Sequence, residues 1–383
     1  MKNMFRHRIQ HMPVAVTGLS LGIAGLASVL DTIFQQFYSS NNLWWCSIPL
    51  IAISSFLLLL MTIRNFRHPK ILKFDSRDTL SSSLLPTYSM TLMCIAGFIA
   101  GWQKGCSGTP PCQVIGAIVM CLSVLIQLIF IVLFFKNVLM KFKWHIHPAY
   151  GSWLVPTVGI ITSCTFAGRF NENILPIWFF QAIWFFGFIT FVPLFMVITY
   201  QLLFKTKAAQ EKYPSIAVYF APPNLVLAGF MQTFAIPSQN ANIVPEIQAF
   251  GGSNSTFIFV MSVLLIMLAF TYTIVLWFFA TRIFITHKFA FIFASFTFPL
   301  AIGSASMLYA SNYLKKLYTN SNQSYLLIVS DTFRYIGYIF STVAFICIVY
   351  IATRFFIKLL KDVFSNKNDD KHHVVYTKDQ KNV

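Results

Sequence analysis

Ten long apolar stretches dictate what this chain can fold into. They lie near residues 12–37, 43–63, 80–101, 113–135, 150–168, 176–203, 216–236, 256–280, 289–310 and 326–353. A membrane-crossing helix needs about 20 predominantly apolar residues. Inside hydrocarbon, a backbone satisfies its polar groups only as helix or closed barrel. Of 383 residues, 57% are hydrophobic and 10% are charged, against about 25% charged in soluble domains. A soluble fold could not cover its surface with so little charge. The expectation is therefore an all-α polytopic membrane protein. Residues 1–11 form a short cytoplasmic N-terminus, 12–355 a ten-helix transport domain, and 356–383 a polar, disordered cytoplasmic tail. Arg6 and Arg8 precede a stretch too long for a signal-peptide core, so it reads as the first span.

Charge orients these spans. With ten crossings and both termini inside, 23 Lys and Arg fall on the inner side, including Arg64, Lys136, Lys205, Arg282 and Lys358. The outer side receives four: Lys104, Arg169, Lys315 and Lys316. Cytoplasmic loops of membrane proteins carry this excess, so the net charge of +17 reflects topology and not nucleic-acid binding. Two spans are weak. The fifth is short, and the seventh is interrupted by Pro222, Pro223 and Asn224. Omitting the seventh alone would reverse every later loop and destroy the charge bias.

The prolines repeat. Every odd span carries one at or inside its ends: Pro13, Pro86, Pro156, Pro222 with Pro223, and Pro299. Among even spans only the second and sixth do, at Pro49 and Pro193. Small residues follow the odd spans too, with Gly18, Gly22 and Gly25 in the first and Gly97, Gly159, Gly229 and Gly303 in the others. Even spans read as Leu, Ile, Phe and Val. A carbonyl freed by proline is tolerated at membrane depth only against protein or a wet cavity, and small residues allow close packing. Pro and Gly are commoner in membrane helices generally, but that alone would not place them in alternate spans. The expected arrangement is five hairpins, with odd helices around a central passage and even helices outside.

That passage lacks buried charge. Asp31 lies near the outer end of the first span, and Asp331 and Arg334 are three apart on one face of the tenth, spaced to pair. No carboxylate marks mid-membrane in an odd span, which argues against a proton relay or a cation pore. Candidate lining residues are Thr17, Gly18, Ser20, Ser89, Thr157, Asn224, Gly229 and Ser304, a set that suits a small anion. All eight His lie outside the spans or at their margins, and neither HExxH nor GxSxG occurs. An enzyme, a metal site and a cofactor are not expected. Cys106 and Cys112, in the short polar run GWQKGCSGTPPCQ, are either a disulfide or two unconnected thiols.

Three segments carry a family resemblance. They are Ala221-Pro222-Pro223-Asn224 with Gly229, Phe296-Thr297-Phe298-Pro299-Leu300, and Trp153-Leu154-Val155-Pro156-Thr157-Val158-Gly159-Ile160. In the seventh, ninth and fifth spans, they resemble the tellurite-resistance/dicarboxylate transporter family. That family includes TehA-like proteins, fungal malate transporters and plant slow-type anion channels. The resemblance implies five hairpins in quasi-fivefold order, a homotrimer with one pore per subunit, and a Phe on the ninth helix that closes the pore. By motif position the gate is Phe298, with Phe296 as the alternative. The family's Trp-rich segment before this motif is replaced here by Phe293-Ala294-Ser295. The implied partners are a small inorganic or organic anion, the bilayer of the plasma (cell) membrane, and two further copies of the chain. The implied activity is small-anion conductance or export, or alternatively secondary carriage of malate, another C4-dicarboxylate or a tellurite-related oxyanion. Arg334 is the one basic residue well inside a span, and on an outer helix it would serve a dianion poorly.

Overall fold

A computed structural model describes residues 12–37, 46–101, 110–141, 150–204, 210–235, 254–321 and 323–364. Among them the chain is helical throughout, with no strand. Among the described residues, nine helices are long and apolar enough to cross a membrane.

The even helices are single unbroken rods: α2 (Ile48–Arg67), α4 (Pro110–Asn137), α6 (Ile177–Phe204), α8 (Asn254–Thr286) and α10 (Ser324–Phe364). Their residues are those expected for lipid contact, with Leu, Ile, Phe and Val on all sides. The odd segments behave differently. After α1 (Ala15–Phe37), each contains a break or a change of helical type. A short helix, Thr79–Leu84, precedes α3 (Thr87–Gly101), with Pro86 between them. A 3₁₀ stretch, Gln210–Phe220, leads into α7 (Ala221–Phe230), which ends in the π turn Met231–Ala235. Another 3₁₀ stretch, Phe291–Phe296, leads into α9 (Thr297–Ser321). Pro222, Pro223 and Pro299 all fall in the first turn of an α stretch. A missing N–H and a fixed φ cost least there.

The fifth stretch is not among the nine helices. It is the segment α5, in which only Leu154–Val158 is α-helical, between 3₁₀ turns at Gly151–Trp153 and Gly159–Arg169. A 3₁₀ turn rises about 2.0 Å per residue against 1.5 Å in an α-helix. The whole segment is thus about 35 Å long, enough to match a hydrocarbon core about 30 Å thick. Its short sequence is compensated by its stretched geometry.

Burial divides the two sets. The most apolar windows of α1 and of the third span are 67% buried, those of α7 and α9 are 94% and 83%, and those of the even helices are 22–28%. Each odd segment packs on the even helix that follows it in sequence. The odd segments also contact one another in the order α1–α3, α3–α5, α5–α7, α7–α9 and α9–α1. These contacts are close. A Cβ on Gly22 would lie 2.1 Å from the Thr297 side chain, and one on Gly97 2.3 Å from the Phe166 ring. Any larger residue at either position would push α1 off α9 or α3 off α5.

The connection between α2 and α3 holds a buried ion pair. Arg64 Nη2 donates to Asp75 Oδ2 at 2.8 Å, with both side chains less than one tenth exposed. Burial pushes the Asp75 carboxyl above its usual 3.8, and the Arg64 charge opposes that rise. Next to it, Asp78 caps the helix Thr79–Leu84 by accepting from Ser81 N–H at 2.8 Å.

Candidate functional site

The changes of helical type in the odd segments surround one cavity of about 40 Å³. Gly18 and Leu21 of α1 line it, with Thr87 and Met90 of α3 and Val155, Val158 and Gly159 of α5. Ala221, Pro222 and Leu225 of α7 and Ser295, Phe298 and Pro299 at the start of α9 complete the wall. All five odd segments contribute, and no even helix does. Phe298 is 9% exposed, and its ring lies 3.6 Å from where a Cβ on Gly25 would sit. The ring thus packs within van der Waals reach of α1 at Gly25.

The wall is almost wholly apolar. Its two hydroxyls are engaged elsewhere: Thr87 Oγ1 lies 2.7 Å from both Leu84 O and Thr17 Oγ1, and Ser295 Oγ donates to Pro214 O at 2.8 Å. A water needs about 10–15 Å³ of such space and two or more polar partners, so the cavity has room for little water and few groups to hold it. A hydrated ion cannot pass such a point without widening it and shedding its shell.

Of the residues singled out from sequence, Gly18, Pro222, Phe298 and Pro299 meet at the cavity. Phe296 does not. It is fully buried in an aromatic cluster with Phe293 and with Phe279 and Phe284 of α8, turned toward the outer helix. The polar residues turn the same way. Ser20 donates to Ser54 O of α2 at 2.8 Å, and Ser54 returns a bond to Ser20 O at 2.9 Å. Ser89 bonds Gln127 of α4. Asn224 Oδ1 accepts from Thr273 of α8 at 2.8 Å and from Ser306 of α9 at 2.7 Å. Ser304 donates within its own helix to Leu300 O at 2.9 Å, as Thr17 does to Val14 O at 2.7 Å. Thr157 is half-buried, 3.5 Å from Leu154 O. Gly229 is filled from outside, since a Cβ there would lie 2.5 Å from Ile161 of α5. Pro13 precedes α1, Pro86 separates the two parts of the third span, and Pro223 is buried in the first turn of α7. Pro156 is buried in α5, and its carbonyl accepts from Gln127 Nε2 at 2.6 Å. Cys106 lies outside the described residues, so the pairing with Cys112 does too.

These polar contacts form a repeated device, with one clamp tying each odd segment to the even helix that follows it. They are Ser20–Ser54, Ser89–Gln127, Asn224–Thr273 and a reciprocal Ser311–Ser330 pair between α9 and α10. In the remaining pair of consecutive segments Cys164 of α5 donates to Phe180 O of α6 at 3.2 Å. Hydroxyls expected to face a passage instead satisfy each other between helices, because no water competes for them there.

This fold and cavity agree with what comparison with known proteins finds. Residues 11–356 match the family described as voltage-dependent anion channel. The chain belongs to that family. No curated protein matches it. As a member it is an integral membrane protein of anion transport, not an enzyme.

For an anion-channel family member the placement of charge is informative. Asp331 and Arg334 pair at 2.9 Å within α10, about a third exposed, and neither lines the cavity. A second pair was not legible from sequence. Arg169, at the end of α5, donates to Asp31 of α1 at 2.7 Å. Both residues stand out in sequence as charges beside apolar runs, but nothing in their spacing joins them. The sequence signal for the Gln127 contacts is its position as a lone amide within LIQLIFIVLFF.

Proposed function

We propose that this protein conducts small monovalent anions passively along the axis of its odd segments, and that the Phe298 ring closes the path. The observation that carries this reading is the cavity walled by all five odd segments, with Phe298 in its lining. The contact order of the odd segments supports a closed inner ring, and so five hairpins in quasi-fivefold order with ten crossings. The charge bias of the loops supports cytoplasmic termini, and the plasma membrane is the proposed location. The family supports a trimer with one path per subunit.

Passage past Phe298 is a dewetting problem. An apolar constriction excludes water until a side chain moves, and an ion meets the same barrier more steeply. Rotation of one ring away from Gly25 would widen the path without disturbing helix packing. The lining carries no carboxylate that would favour a cation, and no fixed positive group that would hold a dianion. The cost of dehydrating an ion rises with the square of its charge, so an uncharged wall favours singly charged anions over C4-dicarboxylates. Arg334, the basic residue well inside a span, is on an even helix and already paired.

The test is anion flux in proteoliposomes, comparing chloride, nitrate and malate for wild type and Phe298→Ala. Weak wild-type flux and an increase of about tenfold or more for chloride and nitrate are expected, as for removal of an apolar gate. Equal flux in the two correctly assembled proteins would remove Phe298 from the gate. Stoichiometric malate exchange with no chloride current in either would replace the channel reading with a carrier.

A further inference from the structure

We propose that Asp31 and Arg169 form an electrostatic latch across the path at the C-terminal ends of the odd segments, where a passing anion competes with the Asp31 carboxylate for the Arg169 guanidinium. The proposal rests on the channel reading above and places a second control point on the same path.

The geometry is that of a bridge across the ring. In the packing order α3 stands between α1 and α5, yet Arg169 of α5 reaches Asp31 of α1 at 2.7 Å. It passes over Gly101 of α3, where a Cβ would lie 3.2 Å from the arginine side chain. The absent side chain at Gly101 opens that route. The other two odd segments close in at the same level. Tyr309 of α9 is hydrogen-bonded to Ser28 and Thr32 of α1, which flank Asp31, and lies within electrostatic reach of both members of the pair. Gln232, in the π turn after α7, has its Oε1 3.1 Å from where a Cβ on Gly168 would sit, beside Arg169. As at the cavity, all five odd segments meet. Along α1 this level is about 15 Å from Leu21 in the cavity wall, at 1.5 Å per residue, so the pair is a separate point of closure.

The chemistry suits a transient anion. The pair is largely withdrawn from solvent, with Arg169 18% and Asp31 9% exposed. A guanidinium in such a place must keep an anionic partner. Chloride or nitrate can replace the carboxylate, because each accepts hydrogen bonds from the planar donor face. The carboxylate in turn expels the anion, which meets the need for a site strong enough to enter and weak enough to leave. The arginine backbone is anchored independently of its side chain. Gln113 of α4 donates to Arg169 O at 2.9 Å and to Ala100 O at 2.8 Å. The guanidinium carbon also lies 5.4 Å from the Phe166 ring centre, a second resting place once Asp31 is exchanged.

The experiment is chloride flux against chloride concentration in proteoliposomes, in the Phe298→Ala background. Asp31→Asn removes the competitor and is expected to lower half-saturating chloride several-fold while reducing maximal flux, because the anion is released slowly. Arg169→Lys keeps the charge without the planar fork and is expected to raise half-saturating chloride several-fold. Unchanged half-saturation in the variants that assemble overturns the latch, whatever their thermal stability. Asp31→Cys provides the readout that a merely structural pair would not move. A membrane-impermeant, negatively charged methanethiosulfonate is expected to suppress its flux and to leave the Phe298→Ala parent unaltered. An unmodified, unaffected Asp31→Cys protein also overturns the proposal. If Phe298→Ala itself carries no anion, the channel reading fails and the latch with it. If it conducts and the latch variants behave like their parent, the latch alone fails.

Discussion

Segments α7 and α8 are consecutive in the chain and follow opposite rules. The seventh changes from 3₁₀ to α to π turns, carries Pro222 and Pro223, and is 94% buried. The eighth, at 33 residues, is unbroken and 28% buried. Lipid explains the difference. A backbone carbonyl facing hydrocarbon has no partner except its own helix, so a lipid-facing rod cannot afford a break. A segment enclosed by protein can borrow partners. Gln127 of α4 supplies one directly, donating to the carbonyl of Pro156 in α5. Irregular backbone therefore collects on the inside, and the five clamps to the even helices that follow hold it in place.

The sharpest test of this contrast is truncation of a large apolar side chain to Ala on each of the two sides. Phe230→Ala, at a fully buried ring packed on Trp184 and Phe234, is expected to cost about 3–5 kcal/mol. Ile129→Ala on α4, 58% exposed, should change stability by no more than about 0.5 kcal/mol. Unfolding in detergent micelles ranks the two, and equal effects would break the inner–outer distinction.

The ion pairs provide a second contrast. Removing Asp75 strands Arg64 in a buried site and is expected to cost about 3–5 kcal/mol. Asp331→Ala, at a pair a third exposed, is expected to cost about 0–1 kcal/mol. The Asp75 carboxyl also has a pH signature. Its native value lies above 3.8, so the folded state binds this proton more tightly than the unfolded one. Its contribution is then fully present below that value and declines as pH rises through the raised native value. Comparing denaturation of wild type and Asp75→Asn across that window should show the wild-type advantage shrinking as pH rises.

Smaller effects sharpen the account of the clamps. Gln127→Leu leaves the Pro156 carbonyl without its donor and is expected to cost about 1–3 kcal/mol. A reading of α5 by hydrogen exchange should localise the loss to residues around Pro156. The smallest effect belongs to Ser20 and Ser54, whose double-mutant cycle is expected to give a coupling of about 0.6 kcal/mol. A coupling near zero would mean that close packing alone joins this hairpin.

Much of the membrane organisation was legible in the residues. Long apolar runs show where helices cross because transfer into lipid is a sum over local side chains. Alternate prolines coincide with the changes of helical type and the high burial of odd segments, because proline acts on its own backbone wherever it sits. The fifth span illustrates the limit. Its sequence is short for an α-helical crossing, and only the tertiary packing around Gly159–Arg169 shows it drawn out as 3₁₀ turns.

Rotation of each helix was not legible, for a reason peculiar to membranes. Lipid and protein interior are both apolar, so the two faces of a helix differ little in sequence and no polar stripe marks the inside. Sequence alone determined a multi-pass helical protein with alternating proline-rich and proline-poor spans, and through its motifs the anion-channel family. The tertiary structure decided which side of each span looks inward. It set Phe298 on the cavity and Phe296 against α8, turned Ser20, Ser89 and Asn224 to neighbouring helices, and brought Arg169 to Asp31. Those outcomes depend on side chains from distant segments fitting together, and no local run of residues encodes them.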